Sequence, residues 1–259
     1  MIEELAENTI KYWESADKKL LAHRFETMIS MREAPRSLIR PIESDDRLSF
    51  IMEIKRKSPS AGNLNPEMNS IETARLYEKY GATAVSVLTD HTHFGGSLED
   101  LKTVSGSVSI PVLRKDFIVD RMQIPESRAY GADAVLLIVR LLGKKTSQFL
   151  KLCTDYGMDA LVEVHNSEEL AIALESEAKI IGINNRNLDT LEINLDTTAT
   201  LSPDIPPGHL VISESGMSSA KAIDAMRVLG VDGVLIGSAF STAESIEEKL
   251  KELTACLQK

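Results

Sequence analysis

Short apolar runs recur along the chain from residue 48 onward, and segments with helical spacing separate them. Each run is nearly continuous in valine, isoleucine, leucine and methionine, as a parallel strand buried on both faces requires. The runs are Leu48–Lys55, Ala84–Thr89, Val112–Phe117, Ala134–Val139, Asp159–Val164, Ile180–Asn185, Leu210–Ser215 and Gly233–Ser238. They predict eight buried strands, numbered one to eight in chain order.

The segments between the runs predict helices, most clearly at Asn69–Tyr80, Lys144–Tyr156 and Ser218–Leu229. Glycines follow predicted helices, where a C-cap favours a positive φ; they are Gly81, Gly131, Gly157 and Gly230. Eight strands alternating with helices predict a closed (β/α)8 TIM barrel. An open doubly wound sheet is the alternative, but it usually has fewer strands, and no GxGxxG motif follows the first run.

Residues 1–46 precede the first strand. Apolar side chains predict an amphipathic helix there, at Ile2, Leu5, Ile10, Trp13, Leu20 and Leu21. We expect this helix to pack on one end of the barrel, although a surface helix or a dimer contact fits the same pattern. The sequence therefore predicts one barrel domain over residues 1–259, with residues 1–46 as an N-terminal helical extension.

Composition narrows the classes of function. A hydrophobic content of 43% suits a sizeable core, and a net charge of −10 argues against non-specific nucleic-acid binding. The longest apolar run, Ala134–Val139, is far too short to cross a membrane, and the first residues lack the apolar segment of a signal peptide. We expect a cytoplasmic protein with neither a membrane nor a nucleic acid as partner.

Cysteines and histidines give weak signals. Cys153 and Cys256 lie in predicted helices without metal-ligand spacing, so we expect two reduced, half-buried thiols. His91 and His93 follow strand two, and we expect solvated loop side chains rather than a metal site, because no third or fourth ligand stands out. His165, after strand five, is expected to have a local loop role.

Charged residues within the apolar runs are the main chemical signal. They are Glu53, Lys55, Lys115, Glu163 and Glu214. A buried charge is costly unless it is paired, and one such residue alone fits a structural ion pair. Because the carboxyl ends of barrel strands converge on one face, we expect the set to meet there, on neighbouring strands. Lysines and glutamates in such a cluster shift each other's pKa values, as acid/base catalysis requires.

Glycine and serine after strands seven and eight indicate a phosphate site. Gly216 follows strand seven, and Gly237 with Ser238 follows strand eight. Barrel enzymes often bind phosphate at these two positions, where glycine lets backbone N–H groups approach the oxygens. Ordinary turns are the alternative, but together the signals predict an enzyme that acts on a sugar phosphate.

Five motifs resemble the indole-3-glycerol-phosphate synthase family, in the family order and from about residue 47 onward. They are Glu53-Ile-Lys-Arg-Lys-Ser-Pro-Ser60, Phe94-Gly-Gly-Ser97, Leu113-Arg-Lys-Asp-Phe117, Gly182-Ile-Asn-Asn-Arg186 and Glu214-Ser-Gly216. The resemblance implies ring closure, decarboxylation and dehydration of 1-(2-carboxyphenylamino)-1-deoxyribulose 5-phosphate in tryptophan biosynthesis. It implies no metal or other cofactor, and other enzymes of that pathway as possible partners.

The resemblance also implies residue roles. Lys115 is the principal general acid and Glu163 its acid/base partner, while Lys55 holds the substrate carboxylate or assists proton transfer. Glu53 orients the lysines and contacts the anthranilate amine. The remaining residues bind and position the substrate: Asn184, Glu214 and Ser215 at its hydroxyls, Phe94 and Phe117 at its ring, Ser58 and Arg186 elsewhere, and Gly216, Gly237 and Ser238 at its phosphate.

Two other functions compete with this prediction. A related barrel enzyme, phosphoribosylanthranilate isomerase, would need a cysteine near the end of strand one, where this chain has Glu53 and Lys55. A non-catalytic phosphate-binding protein would keep Gly216 and Ser238 but would not need Lys115 and Glu163.

Overall fold

Eight parallel strands close into a barrel in a computed structural model that describes residues 2–44 and 47–255. Each strand pairs with the next along the chain, and the last returns to the first, where Gly233 lies opposite Ser49. The strands are β1 (Ser49–Ile54), β2 (Ala84–Leu88), β3 (Val112–Lys115), β4 (Ala134–Ile138), β5 (Asp159–Val164), β6 (Ile180–Asn184), β7 (Leu210–Glu214) and β8 (Gly233–Ile236). The predicted (β/α)8 barrel is confirmed, and the open sheet is wrong.

Several predicted runs extend past the carboxyl ends of their strands. Lys55 and Phe117 lie just beyond β1 and β3, and Val139 and Ser238 already belong to helices. These residues are buried or line the cavity described below, so the inward part of each segment extends past the end of the ladder of hydrogen bonds.

Several helices begin at a side chain that caps their first turn. Asn69, Ser97 and Ser219 accept backbone N–H groups at the starts of α4, α6 and α12, which satisfies donors that the first turn leaves free. The helices are α1 (Ile2–Ser15), α2 (Lys18–Ser30), α3 (Ile39–Glu43), α4 (Ser70–Lys79), α5 (His91–Phe94), α6 (Leu98–Ser105), α7 (Gln123–Ala129), α8 (Val139–Leu142), α9 (Thr146–Asp155), α10 (Ser167–Glu175), α11 (Asp196–Leu201), α12 (Ala220–Val228), α13 (Ser238–Ser241) and α14 (Ile246–Thr254).

Shorter elements complete the chain. The 3-10 turns Gly143–Lys145 and Ser202–Asp204 precede α9 and follow α11, and a hairpin pairs Lys57–Ser58 with Gly62–Asn63 after β1. The glycines expected to end helices have positive φ values of 85°, 94°, 71° and 75°, at Gly81, Gly131, Gly157 and Gly230.

Side chains on the two faces of the barrel form separate cores. Phe50, Val85 and Val162 point outward and pack against the surrounding helices. Ile51 and Leu161 point inward and fill the barrel. Burial on both faces explains why the strands read as continuous apolar runs.

The N-terminal extension differs from the prediction of one helix on one end of the barrel. Asp17 accepts the N–H of Leu20 and begins a second helix, which leaves Leu20 66% exposed. Ile2 on α1 joins the apolar cluster of Phe117, beyond the carboxyl end of β3. Before α3, the N–H of Leu38 binds the carboxylate of Asp159, the first residue of β5, at 2.7 Å. The extension therefore contacts both ends of the barrel.

The cysteine and histidine predictions also change. Cys153 on α9 is free but fully rather than half buried, with 1% exposure, and burial raises the pKa of its thiol to about 12. Cys256 lies outside the described residues. The histidines that were expected in a loop lie on a short helix instead. Asp90 accepts the N–H of His93 at 2.6 Å and thereby caps α5, which contains His91 and His93.

Residues 2–44 and 47–255 contain neither a metal-binding cluster nor a membrane-spanning helix. No group of three or more histidine, cysteine, aspartate or glutamate side chains could hold a metal ion. No helix in this part of the chain is long and apolar enough to cross a membrane.

Candidate active site

A cavity of about 260 Å³ opens at the carboxyl ends of the barrel strands. It is the place where barrel enzymes build their active sites. The structure places every residue assigned to the site from the sequence on its wall: Glu53, Lys55, Ser58, Phe94, Lys115, Phe117, Glu163, Asn184, Arg186, Glu214, Ser215, Gly216, Gly237 and Ser238.

Four charged side chains at the base of the cavity come from alternate strands. Glu53, Lys115, Glu163 and Glu214 belong to β1, β3, β5 and β7. The expectation that they lie on neighbouring strands is wrong. Strands are staggered in a barrel, so inward side chains of alternate strands share one layer.

Lys115 joins two of the carboxylates in this layer. Its Nζ lies 3.3 Å from Oε2 of Glu163 and 3.2 Å from Oε2 of Glu214. Burial alone would lower the pKa of Lys115, but the carboxylates of Glu214, Glu163 and Glu53 outweigh it and raise that pKa. Lys115 is therefore a firmly held ammonium group facing the cavity.

The residues beside Lys115 fix the end of β3. The guanidinium of Arg114 points away from the cavity and binds the carboxylates of Asp116 at 3.0 Å and Glu126 at 2.9 Å. Asp116 also accepts the hydroxyl of Thr89 and the N–H of Phe117. This buried network ties β3 to β2 and α7 and so limits the movement of Lys115.

The two carboxylates that share Lys115 have opposite pKa shifts. Burial would raise the pKa of Glu163, but Lys115 and His165 outweigh burial and hold it well below its usual range. Burial raises the pKa of Glu214 to about 7, because Lys115 offsets only part of it while Glu163 and Glu53 add to it. Two acids of one chemical type thus hold their protons with different strength, as acid/base chemistry requires.

A second lysine lies beside the first carboxylate of the layer. Nζ of Lys55 is 2.9 Å from Oε1 of Glu53, and both side chains are largely buried. Glu53 acts electrostatically on Lys115, Glu214 and Arg186. It therefore links the two lysines, as the family resemblance implies for an orienting residue.

Two glycines, one on β6 and one directly after β8, leave space for the carboxylates. A Cβ on Gly182 would lie 2.2 Å from Oε1 of Glu214, and a Cβ on Gly237 would lie 2.2 Å from Oε1 of Glu53. Gly237 was assigned only to phosphate binding, so the structure gives this position a second constraint. Gly182 was not assigned to the site, although a glycine inside a strand often marks such a close approach.

The turn after β7 has a fixed shape. Ser215 and Gly216 have positive φ values of 65° and 89°, and Nδ2 of Asn185 binds the carbonyl of Ser215 at 3.2 Å. A Cβ on Gly216 would approach Leu195 to 2.7 Å. The backbone of the turn therefore reaches the cavity in one conformation, with Ser238 at the start of α13 beside it on the cavity wall.

Apolar side chains form the opposite wall. The rings of Phe94 and Phe117 are 6.0 Å apart and tilted by 48°. Ile2 and Leu5 of α1 also line the cavity, although neither was assigned to the site from the sequence. The amphipathic pattern predicted their burial but not which end of the barrel α1 covers.

Ser58 and Arg186 stand at the rim. Oγ of Ser58, in the hairpin after β1, accepts the N–H of Ala61 at 3.2 Å. Nη1 of Arg186 donates to the carbonyl of Leu191 at 2.8 Å. The backbone N–H of Arg186 donates to Oδ1 of Asn184 at 3.0 Å. Burial lowers the pKa of Arg186, against the influence of Glu53.

His165 lies in the loop after β5, as the sequence predicts, but it also contacts a residue of the site. Its Nε2 lies 3.2 Å from Oε1 of Glu163, an ion-pair contact without hydrogen-bond alignment, and its Nδ1 lies 2.9 Å from Oε2 of Glu169. Asn166 caps α10 and Glu169 is three residues later, a spacing typical of a capping box. That spacing is the sequence signal that places Glu169 against His165.

Comparison with known proteins identifies the family of this chain. The family model described as "Indole-3-glycerol phosphate synthase" matches residues 3–253. The chain belongs to the indole-3-glycerol phosphate synthase family.

Relatives from several bacteria support this membership. The indole-3-glycerol phosphate synthase of Leptospira interrogans is 50% identical over 77% of this chain and 79% of its own length. That of Aquifex aeolicus is 49% identical over 79% of this chain and 80% of its own length. That of Desulforamulus reducens is 43% identical over 90% of this chain and 88% of its own length.

Solved structures with low sequence identity share the fold. A 3-hexulose-6-phosphate synthase from Salmonella typhimurium has a TM-score of 0.65 at 14% identity, covering 82% of this chain and 99% of its own. A thiamine phosphate pyrophosphorylase from Pyrococcus furiosus has a TM-score of 0.61 at 17% identity, covering 82% and 95%. At this identity the likeness supports the barrel alone.

The activity expected from the sequence is the activity of this family. The chain is an indole-3-glycerol-phosphate synthase, a carboxy-lyase that closes the indole ring of a small sugar-phosphate substrate in tryptophan biosynthesis. The alternatives weighed from the sequence, an isomerase of the same pathway and a non-catalytic phosphate-binding protein, are wrong.

Proposed function

We propose that the charged layer around Lys115 carries out the acid/base steps of indole-3-glycerol phosphate synthesis. The observation that supports this proposal best is the position of the Lys115 Nζ, 3.3 Å from Glu163 and 3.2 Å from Glu214 on the wall of the cavity. A general acid and its partner must reach the same substrate atoms, and the short distances between these side chains on one cavity wall support that role.

Lys115 is the principal general acid in this proposal. When the aromatic carbon attacks the ketone carbon, negative charge develops on the ketone oxygen, and the Lys115 ammonium donates a proton to it. Carbon dioxide then leaves and the ring regains its aromaticity. Lys55 holds the substrate carboxylate or assists the proton transfers, and Glu53, 2.9 Å from Lys55, orients the lysines and meets the anthranilate amine.

Glu163 acts after ring closure. Loss of the new hydroxyl as water requires a proton on its oxygen and removal of a proton from the ring system. Once Lys115 has given up its proton, Glu163 loses one of the two cations that keep its pKa low, so its affinity for a proton rises. Glu163 is therefore the acid/base partner that relays protons in dehydration.

The rest of the cavity binds and orients the substrate. Asn184, Glu214 and Ser215 meet the hydroxyls, and Phe94 with Phe117 forms an apolar wall for the aromatic ring. Backbone groups of Gly216, Gly237 and Ser238 take the phosphate, because all three line the cavity after β7 and β8. Ser58 and Arg186 complete the substrate contacts at the rim.

The remaining proposals concern the whole chain. We expect residues 1–259 to act as one domain with residues 1–46 as its helical extension, in the cytoplasm and without a metal or other cofactor. The net charge of −10 disfavours nucleic acid as a partner. Other enzymes of tryptophan biosynthesis are the protein partners we propose.

Glu163→Gln tests the proton relay. The amide keeps the shape of the side chain but has no basicity, so substrate affinity should stay similar while kcat falls by about 10²-fold or more. A binding titration beside rapid-quench analysis of a single turnover measures both quantities. Since dehydration depends most on Glu163, a ring-closed, decarboxylated species should accumulate.

A matched control is Glu168→Gln, which changes an exposed glutamate on nearby α10. This variant should bind and turn over substrate like the unmodified enzyme. A wild-type kcat in Glu163→Gln would leave Glu163 as a structural partner of Lys115 only.

A further inference from the structure

His165 and Glu169 form a buried chain of contacts with Glu163 that the proposed reaction does not use. The Nδ1 of His165 lies 2.9 Å from Glu169 and the Nε2 lies 3.2 Å from Glu163, so one carboxylate stands at each end of the ring. Nε2 is buried and has no aligned hydrogen-bond partner among the described residues. The imidazole of His165 therefore points at Glu163, a residue of the active site.

Glu169 holds this ring in place. Its Oε2 also accepts the backbone N–H of His165 at 2.9 Å, and its Oε1 accepts Nδ2 of Asn166 at 3.1 Å. Asn166 in turn caps α10 by accepting the N–H of Glu169 at 2.9 Å. The orientation of the imidazole is therefore set by the start of a helix and not by the cavity.

The two carboxylates also decide the charge of the ring. Ionised carboxylates only accept hydrogen bonds, so a neutral imidazole would turn a lone pair toward one of them. Burial lowers the pKa of His165, but Glu163 and Glu169 outweigh burial and raise it to about 9. The side chain is an imidazolium at neutral pH.

We propose that His165, fixed by Glu169, is a positioning residue that holds one oxygen of Glu163 so that the other faces Lys115. This inference rests on the proposed proton relay by Glu163. Oε1 of Glu163 is the oxygen near His165, and Oε2 is the oxygen near Lys115. The carboxylate is therefore held between two cations.

Other charges face this chain from neighbouring elements. Arg140 on α8 acts on Glu169, and Asp189 in the loop after β6 feels the charge of His165. Arg140 and Asp189 bind each other at 2.6 Å, so their charges largely cancel near the ring. The titration of His165 is governed by Glu163 and Glu169.

The pH dependence of kcat distinguishes positioning from a merely structural role. The imidazolium is present below pH 9 and is lost as the pH rises through about 9, so kcat should fall there. Glu169→Gln removes one of the two carboxylates, lowers the pKa of His165, and should move the alkaline limb of kcat to lower pH. KM at pH 6.5 should stay within about twofold, because Glu169 does not touch the cavity.

Two further variants separate the two ends of the ring. His165→Asn keeps a donor near Glu169 but none that reaches Glu163, and kcat should fall by about tenfold, a loss typical of a residue that orients a functional group. His165→Gln carries a neutral donor toward Glu163 and should recover part of that loss without an alkaline limb near pH 9.

The pKa of His165, measured by NMR, gives a readout independent of activity. A lowered pKa in Glu169→Gln with a matching shift of the kcat limb supports the proposal, and Glu168→Gln should change neither. An unchanged pKa, or a lowered pKa with an unmoved limb, overturns it. If Glu163→Gln is inactive while the His165 variants turn over normally, only the positioning role fails; if Glu163→Gln is fully active, the proton relay itself fails.

Discussion

Glu163 and Glu214 share the Lys115 ammonium and differ in what lies on their other side. Oε1 of Glu163, the oxygen that does not pair with Lys115, lies beside His165. Oε1 of Glu214, in contrast, has no hydrogen-bond partner among the described residues and packs over Gly182. One carboxylate is consequently held ionised, and the pKa of the other is raised to about 7. Position on the barrel, rather than residue type, sets their chemistry.

The raised pKa of Glu214 predicts a pH-dependent cost in stability. The folded state holds this proton more tightly than the unfolded chain, where the pKa is near 4.5. The stability supplied by the protonated form is full below pH 4.5 and is lost as the pH rises through about 7. Since glutamine does not titrate, the Tm of Glu214→Gln relative to wild type should increase by several degrees between pH 5 and pH 8.

Thermal unfolding followed by circular dichroism at both pH values measures this difference. Glu168→Gln, which changes an exposed glutamate, serves as the control and should show no such trend. An equal Tm difference at pH 5 and pH 8 would mean that Glu214 is not the buried group that titrates.

Among the secondary-structure elements outside the barrel strands, helix α1 contributes apolar side chains to the cavity. It places Ile2 and Leu5 on the cavity wall, in the same apolar cluster as Phe94 and Phe117. An apolar cover keeps water from the charged layer and strengthens the electrostatic interactions inside it. The extension is therefore part of the site as well as of the fold.

Leu5→Ser tests this role of α1. The change removes apolar surface from the cavity, so KM should rise severalfold while Tm changes little, since Leu5 is only half-buried. Steady-state kinetics measure the effect. Leu20→Ser makes the same replacement at a position that is 66% exposed, and should leave KM unchanged. Equal KM values in the two variants would contradict the assignment.

For the whole molecule, the sequence predicted the barrel and the polar residues assigned to the cavity wall, but not the contribution of Ile2 and Leu5 or the arrangement of the charged side chains. Continuous apolar runs reveal buried strands, and polar residues at their ends reveal the face that carries the site. The stagger of the barrel decides that Glu53, Lys115, Glu163 and Glu214 form one layer, and stagger leaves no mark in a single strand.

Side-chain contacts account for the remaining differences. Glu163 lies two residues before His165 and Glu169 lies four residues after it, so both contacts are local in sequence. The period of two along a strand places Glu163 and His165 on one face, but it does not show how closely the two side chains approach. The pattern of α1 shows an apolar face, whereas its place over the cavity depends on contacts with barrel side chains that are far away in sequence, such as Phe117.

Cationic side chains line the cavity although the net charge of the chain is negative. The chain has a net charge of −10, yet Lys55, Lys115 and Arg186 line the cavity. Anionic groups on the substrate therefore meet local cations. Glu163 and Glu214 hold the Lys115 ammonium in place, and Glu53 holds that of Lys55. The proposed acid/base role of Lys115 depends on this arrangement.

The kcat of Lys115→Ala tests the role of Lys115 as general acid. Without the ammonium group the developing oxygen charge has no proton donor, so kcat should fall by about 10²-fold or more while circular dichroism shows a folded barrel. Lys151→Ala, at a side chain that is 78% exposed, is the control and should keep full activity. A near-normal kcat in folded Lys115→Ala would contradict the account.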